Sequence, residues 1–131
     1  MTLIYGSGKY KYGLCHVFAL ALHKVFGYQI AALEDKDRTI DNARLHKSWP
    51  YIPHVFCVKG EYIIDAFGVR KPSTMIRQAG IEKIIRPKIH KIDSRSLYNN
   101  SMFYIPFEKI TNKNLEEAVA FVLKNKGKYR V

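Results

Sequence analysis

Acidic residues are scarce in this chain: eleven Asp and Glu stand against 22 Lys and Arg, a formal net charge of +11. That imbalance predicts attraction to something negative, whether nucleic acid, an anionic membrane surface or an acidic protein. The basic residues form no single dense run. They are spread over Lys9 and Lys11, Lys83 to Arg95, and Lys124, Lys126, Lys128 and Arg130, so a merely solubilising surface is the plain alternative. Cysteine is scarcer still, and two thiols, Cys15 and Cys57, exclude a disulfide framework. No run is long and apolar enough to span a bilayer. The opening residues Met-Thr-Leu-Ile-Tyr-Gly lack the charged start and apolar run of a secretory signal, so a reducing, cytoplasmic setting is expected. Internal repeats, low-complexity stretches and linkers are also missing. What remains is 131 residues, 47% hydrophobic, the size of one domain with a real core.

The stretch Gly13 to Gly27 organises that domain. Phe18, Leu22 and Phe26 recur at i+4, Val25 fills in and Cys15 starts the same face, predicting an amphipathic helix with a cysteine in its first turn. Gly27 supplies the stop. A thiol at a helix N-terminus feels the positive end of the dipole, which favours thiolate. His16 and His23 fall on the side away from Cys15 and are expected at the surface or in an interface. Tyr28 to Leu33 reads as a strand, ended by the charged cluster Glu34 to Arg38. Ile40 to His46 offers a helical turn, and Ser48 to Pro53 is extended or turned because of its prolines.

The clearest hairpin signal follows. His54 to Val58 and Glu61 to Phe67 are strand-like, with Lys59-Gly60 between them. A two-residue loop at Lys59-Gly60 places Val58 opposite Glu61, Phe56 opposite Ile63 and His54 opposite Asp65. Directly opposed residues share a face with Cβ atoms about 4.5–5.5 Å apart, close enough for a carboxylate to bond an imidazole. Gly68 is expected to end the second strand, and Ser73 to Ala79 to form a short helix before Gly80. Ile84, Ile85, Ile89 and Ile92 mark further strands interrupted at Pro87, and Phe103 to Phe107 an edge strand. The last element is a helix capped by Thr111, with Leu115, Ala118, Val119, Val122 and Leu123 as its apolar stripe.

A thiol at a helix start, an imidazole opening a strand and a carboxylate on the next strand are the parts nucleophilic cysteine chemistry needs. The thiolate attacks, the imidazole moves the proton, and the carboxylate fixes the imidazole's tautomer and orientation. Taken in order, Gly13-Leu14-Cys15-His16-Val17-Phe18-Ala19, Pro53-His54-Val55-Phe56-Cys57-Val58-Lys59-Gly60 and Tyr62-Ile63-Ile64-Asp65-Ala66-Phe67-Gly68 resemble the papain-like and transglutaminase-like thiol superfamily. The Asp-Ala-x-Gly ending is similar to that of small bacterial and phage members. The resemblance covers residues 13–68. It implies Cys15 as nucleophile, His54 as general base and acid, and Asp65 as the orienting acid. The glutamine that helps form the oxyanion hole in papain-like peptidases has no counterpart among Lys9-Tyr10-Lys11-Tyr12. The hole would need the Cys15 backbone N–H and a second donor.

The expected fold is therefore α+β over residues 1–131: the cysteine helix on a small antiparallel sheet, with further strands and a closing helix over 81–126. The expected function is a cysteine-dependent hydrolase or transferase acting on an amide, isopeptide or carboxamide bond. The alternative is a catalytically silent, basic module of the same fold that binds nucleic acid or an acidic protein. Zinc is a weaker rival. Cys15-His16 and His54-x-x-Cys57 offer soft ligands, but residues three apart on a strand point to opposite faces. No metal or cofactor is expected, and Cys57 reads as a core residue beside Val55 or Ile64.

Overall fold

A computed structural model of the protein describes residues 14–35, 54–76, 87–95, 97 and 109–131. The expected turn within 40–46, the extended segment 48–53, the strand at 103–107 and the Lys-Tyr alternation at 9–12 lie outside these residues. The described elements are α1 (Cys15–Phe26), β1 (Gln29–Asp35), β2 (His54–Lys59), β3 (Tyr62–Asp65), β4 (Gly68–Arg70), α2 (Pro72–Ile76), β5 (Pro87–Lys91), α3 (Asn112–Lys124) and α4 (Lys126–Tyr129). The strands make one five-stranded sheet in the order β4-β3-β2-β1-β5, with every neighbouring pair antiparallel. The chain is α+β.

Helix α1 starts at Cys15 and stops at Gly27, whose φ of 75° is the left-handed conformation that suits glycine. It is less amphipathic than its spacing suggests, because every residue from Cys15 to Leu22 is buried. One flank lies on Ile30, Ala32, Val55, Cys57 and Ile64 of the sheet. The other is covered by α3 and α4, where Phe18 meets Phe121 and Tyr129 edge-on at 6.1 and 5.1 Å. A helix enclosed on both sides carries its apolar residues all round. The far face of the sheet buries Ala31, Leu33, Phe56 and Ile63 beneath Met75 of α2. The sheet is thus a middle layer.

Helix α3 is capped as expected, with Thr111 and Asn114 exchanging side-chain and backbone hydrogen bonds at 2.9 and 3.1 Å. Its stripe holds at Leu115, Ala118, Val119 and Val122, while Leu123 is 48% exposed and Phe121 packs on the core in its place. The Tyr28 hydroxyl fastens the C-terminal residues: it donates to the Tyr129 carbonyl and accepts from the Val131 N–H, both at 2.9 Å.

Three expectations about the strands are corrected. Strand β1 runs on through Glu34, which is buried and bonded at 2.5 Å to His90 Nε2 on β5, so the charged cluster does not end it. The hairpin turns at Gly60-Glu61, where Gly60 has φ 59°, and pairs Val58 with Ile63 and Cys57 with Ile64. That register is two residues off the expected one. Because side chains alternate with period two, a slip of two keeps each on its face. Finally, Gly68 does not end a strand but begins β4, with φ 114° directly across from Asp65.

Among the described residues no helix is long and apolar enough to cross a membrane. Gly68 lies against the Lys128 backbone, and a Cβ there would sit 3.7 Å from that carbonyl oxygen, so strain rather than collision opposes a side chain. Gly68→Ala is expected to cost about 1–3 kcal/mol through its φ. A urea unfolding midpoint equal to that of the parent would show that the β3–β4 turn relaxes freely.

Candidate active site

Asp65 closes β3 and is 2% exposed. Its Oδ2 accepts from His54 Nε2 at 2.9 Å and from Arg70 Nη2 at 2.6 Å, while Oδ1 accepts from the Phe67 N–H at 2.9 Å. His54 is not directly opposite Asp65, as first expected, but lies on the diagonal created by the two-residue slip. Side chains of this length span the diagonal of an antiparallel pair. The His54 ring stacks on Phe56 with centroids 5.5 Å apart and planes at 29°. Two neighbours therefore fix that ring, one at its edge and one at its face.

Cys15 comes to the same imidazole from α1, meeting it at the first residue of β2. The side chains of His16 and His54 and the backbone at Val55 all act on its sulfur in the direction that favours thiolate. With Nε2 committed to Asp65, Nδ1 is the His54 nitrogen left for the sulfur. Burial alone would push the thiol up. The His16 and His54 hydrogen bonds, the His54 charge and the Val55 contact outweigh it and bring the thiol from 9.0 down to about 7. Burial likewise works against a charged His54, yet its bonds to Asp65 and then Cys15 raise it to about 9. Burial also opposes the Asp65 carboxylate, and the His54 hydrogen bond and charge, followed by Arg70, hold it below the ordinary range. At neutral pH His54 and Asp65 favour their charged forms, and Cys15 stands close to its midpoint.

Cys57 behaves in the opposite way. It is wholly buried, its S–H donates to the Ala19 carbonyl at 3.2 Å, and burial drives its pKa far above the usual range. It sits across from Ile64 among core residues, turned toward α1, while His54 turns to Asp65. Among the described residues no three His, Cys, Asp or Glu side chains are grouped to hold a metal ion.

The structure thus brings Cys15, His54 and Asp65 together. His16 corrects the placement at the surface: it is 2% exposed, and its side chain lowers the Cys15 thiol. His23 is half-buried, with Nδ1 2.8 Å from the Tyr28 carbonyl. Arg70 was not anticipated. It reaches Asp65 from β4, its guanidinium 4.5 Å from the centre of the Phe67 ring. The signal for it was Gly68, whose tolerance of positive φ permits a tight turn between Asp65 and a returning strand.

Comparison with family models, curated proteins and solved structures finds no match to this chain.

Two outcomes follow from the geometry. Iodoacetamide labelling of Cys15 should rise in two steps, near 7 as the ion pair forms and near 9 as the imidazolium loses its proton. Cys57 should stay unlabelled until the protein unfolds. A single step in the ordinary thiol range would deny the ion pair. Secondly, a carboxylate held below its usual range adds stability that is complete above that range and is lost as pH falls through the lowered value. Arg70→Ala removes one of its positive neighbours, so acid unfolding followed by circular dichroism should begin at higher pH.

Proposed function

We propose that this protein is a cysteine-dependent hydrolase or transferase with a papain-like or transglutaminase-like core, acting on an amide, isopeptide or carboxamide bond. The observation that carries the reading is that His54 is bonded to Asp65 at 2.9 Å and that His54 and the Cys15 thiol each shift the other toward its charged form. Each link has a chemical use. The Cys15 thiolate adds to the carbonyl carbon, and the π pair moves onto oxygen. The backbone N–H of Cys15, at the start of α1 where helix amides have no partner within the helix, serves in this reading as a donor to that oxyanion. The His54 imidazolium then gives its Nδ1 proton to the leaving nitrogen, the C–N bond breaks, and an acyl-thioester remains. Neutral His54 takes a proton from water or from an amine as it attacks the thioester, and thiolate is expelled. Water makes the protein a hydrolase; an amine makes it a transferase. Asp65 keeps the ring aligned and stabilises the imidazolium throughout.

The excess of positive charge supports a second property: engagement of an acidic protein or of nucleic acid. Lys124, Lys126, Lys128 and Arg130 are all exposed. A chain that had lost its chemistry would keep this surface as a binding module. The nucleic-acid form of the idea requires affinity that falls steeply as salt rises. A flat salt slope removes nucleic acid and leaves the acidic protein.

For the chemistry, the protein is incubated with a library of peptide amides, isopeptide-linked dipeptides and glutamine carboxamides, and Cys15 is followed by mass spectrometry. A hydroxylamine-sensitive acyl adduct on Cys15 is expected, absent in Cys15→Ala. His54→Ala and Asp65→Asn should form it more slowly by on the order of 10²–10⁴. Adduct formation at an undiminished rate in His54→Ala would overturn the assigned roles.

A further inference from the structure

Asp65 is level with Gly68 across the β3–β4 pair, and Arg70 stands across from Ile63. Residues two apart on a strand share a face, so Arg70 lies on the diagonal from Asp65. Gly68 has no side chain to block that diagonal, and the guanidinium crosses it to Asp65 Oδ2 at 2.6 Å. His54 reaches the same oxygen from β2, on the other side, at 2.9 Å. The second oxygen, Oδ1, is taken by the Phe67 N–H. A guanidinium and an imidazole therefore meet on one carboxylate oxygen, where the Asp65 side chain is 3% exposed and that of Arg70 16%. The guanidinium is held there by the Phe67 ring, whose centre lies 4.5 Å away.

We infer that Arg70 is a positioning residue of this site, sharing Asp65 Oδ2 with His54 and so limiting how tightly the carboxylate holds the imidazolium. This role rests on the thiol-enzyme reading above and adds to it the group that sets the proton affinity of the base. An oxygen already accepting from a guanidinium has less lone-pair density to offer a second donor. Like charges within about 4–6 Å also disfavour one another. Arginine suits the task because it never loses its charge at a working pH. In the reaction His54 gives its Nδ1 proton to the leaving nitrogen and then, neutral, takes one from water or an amine. A carboxylate that bound the imidazolium alone would make the ring a poorer acid in the first step and a scarcer base in the second. With no carboxylate the ring would lose its orientation. Arg70 holds the pairing between these extremes.

The other charged or titratable groups around the pair are few among the described residues. From α1, Cys15 acts on His54. On β1, Leu33 lies across from His54, and the adjacent Glu34 is bonded to His90 of β5. Helix α2 carries no titratable side chain, and Lys71 before it is exposed. From α4, the Lys128 stem lies along Gly68, with Nζ 5.8 Å from the centre of the Tyr129 ring. Arg70 and His54 are the basic side chains bonded to Asp65, so removal of the first is read at the second.

The experiment is an NMR titration of the His54 ring in the parent, Arg70→Met and Arg70→Lys, with Cys57 inert to iodoacetamide as the sign of an intact fold. Met keeps an aliphatic stem against Phe67 without the charge; Lys keeps the charge. The parent ring should titrate near 9. In Arg70→Met it should titrate about one unit higher, and the upper step of Cys15 labelling should move with it. Hydrolysis of the Cys15 acyl adduct at about pH 7.5 should then slow roughly tenfold, because less neutral ring is present. Arg70→Lys should return most of the shift. A ring that titrates in Arg70→Met where it does in the parent, or lower, overturns the inference and leaves Arg70 as a partner of the buried carboxylate only. The titration needs no substrate, so a shift as expected in a protein that forms no acyl adduct upholds the coupling while the enzyme reading falls. Should Arg70→Met unfold, the parent decides. Its Arg70 Cζ resonance is expected to step as His54 loses its proton and to lose that step in His54→Phe; a resonance flat through the parent titration overturns the inference.

Discussion

The carboxylate of Asp65 is buried where water cannot solvate it, and the surrounding structure substitutes for that water. Three donors reach its two oxygens: an imidazole from β2, a guanidinium from β4 and a backbone N–H from the turn between β3 and β4. A buried anion with only one of these partners would be a liability, since desolvation outweighs a single imperfect pairing. With all three it stays ionised, and its charge makes a protonated His54 tolerable in a buried site. The protonated ring in turn makes a thiolate tolerable at Cys15. The site is a relay of alternating charge in which each member offsets the burial cost of the next.

The two cysteines make an internal comparison. Both are buried, both are uncharged when protonated, and both have a sulfur within hydrogen-bonding reach of a neighbour. Cys57 faces a carbonyl oxygen, which can only accept, so its proton is held and its acidity suppressed. Cys15 faces donors, so its proton is surplus. The direction of the available hydrogen bond, more than burial, separates a weakly acidic thiol from one that ionises near neutral pH.

Much of this was legible in the residues. The helix start at Cys15, its glycine stop, the hairpin and the Thr111 cap all rest on local rules, and the structure carries each of them. The proximity of His54 to Asp65 was legible for a subtler reason. The register was wrong by two, but alternation depends only on parity, and the diagonal is short enough for these side chains. What stayed hidden depends on neighbours remote in sequence or on the ends of elements. His16 was misplaced because α1 is enclosed on both sides by elements remote in sequence, so its side away from the expected face is buried too. Arg70 was overlooked because a three-residue strand leaves almost no periodic signal. Glu34 sat in a charged run that reads as a strand end, and nothing nearby points to a histidine more than fifty residues away.

Phe18 on α1 rests against Phe121 and Tyr129, and Gly68 at the head of β4 rests against Lys128. Among the described elements, those outer supports are the last to be translated. A nascent chain would already hold the helix, the hairpin and every member of the charge relay while one flank of α1 was still bare. The packing around Cys15, His54 and Asp65 is therefore complete only once synthesis has passed residue 129.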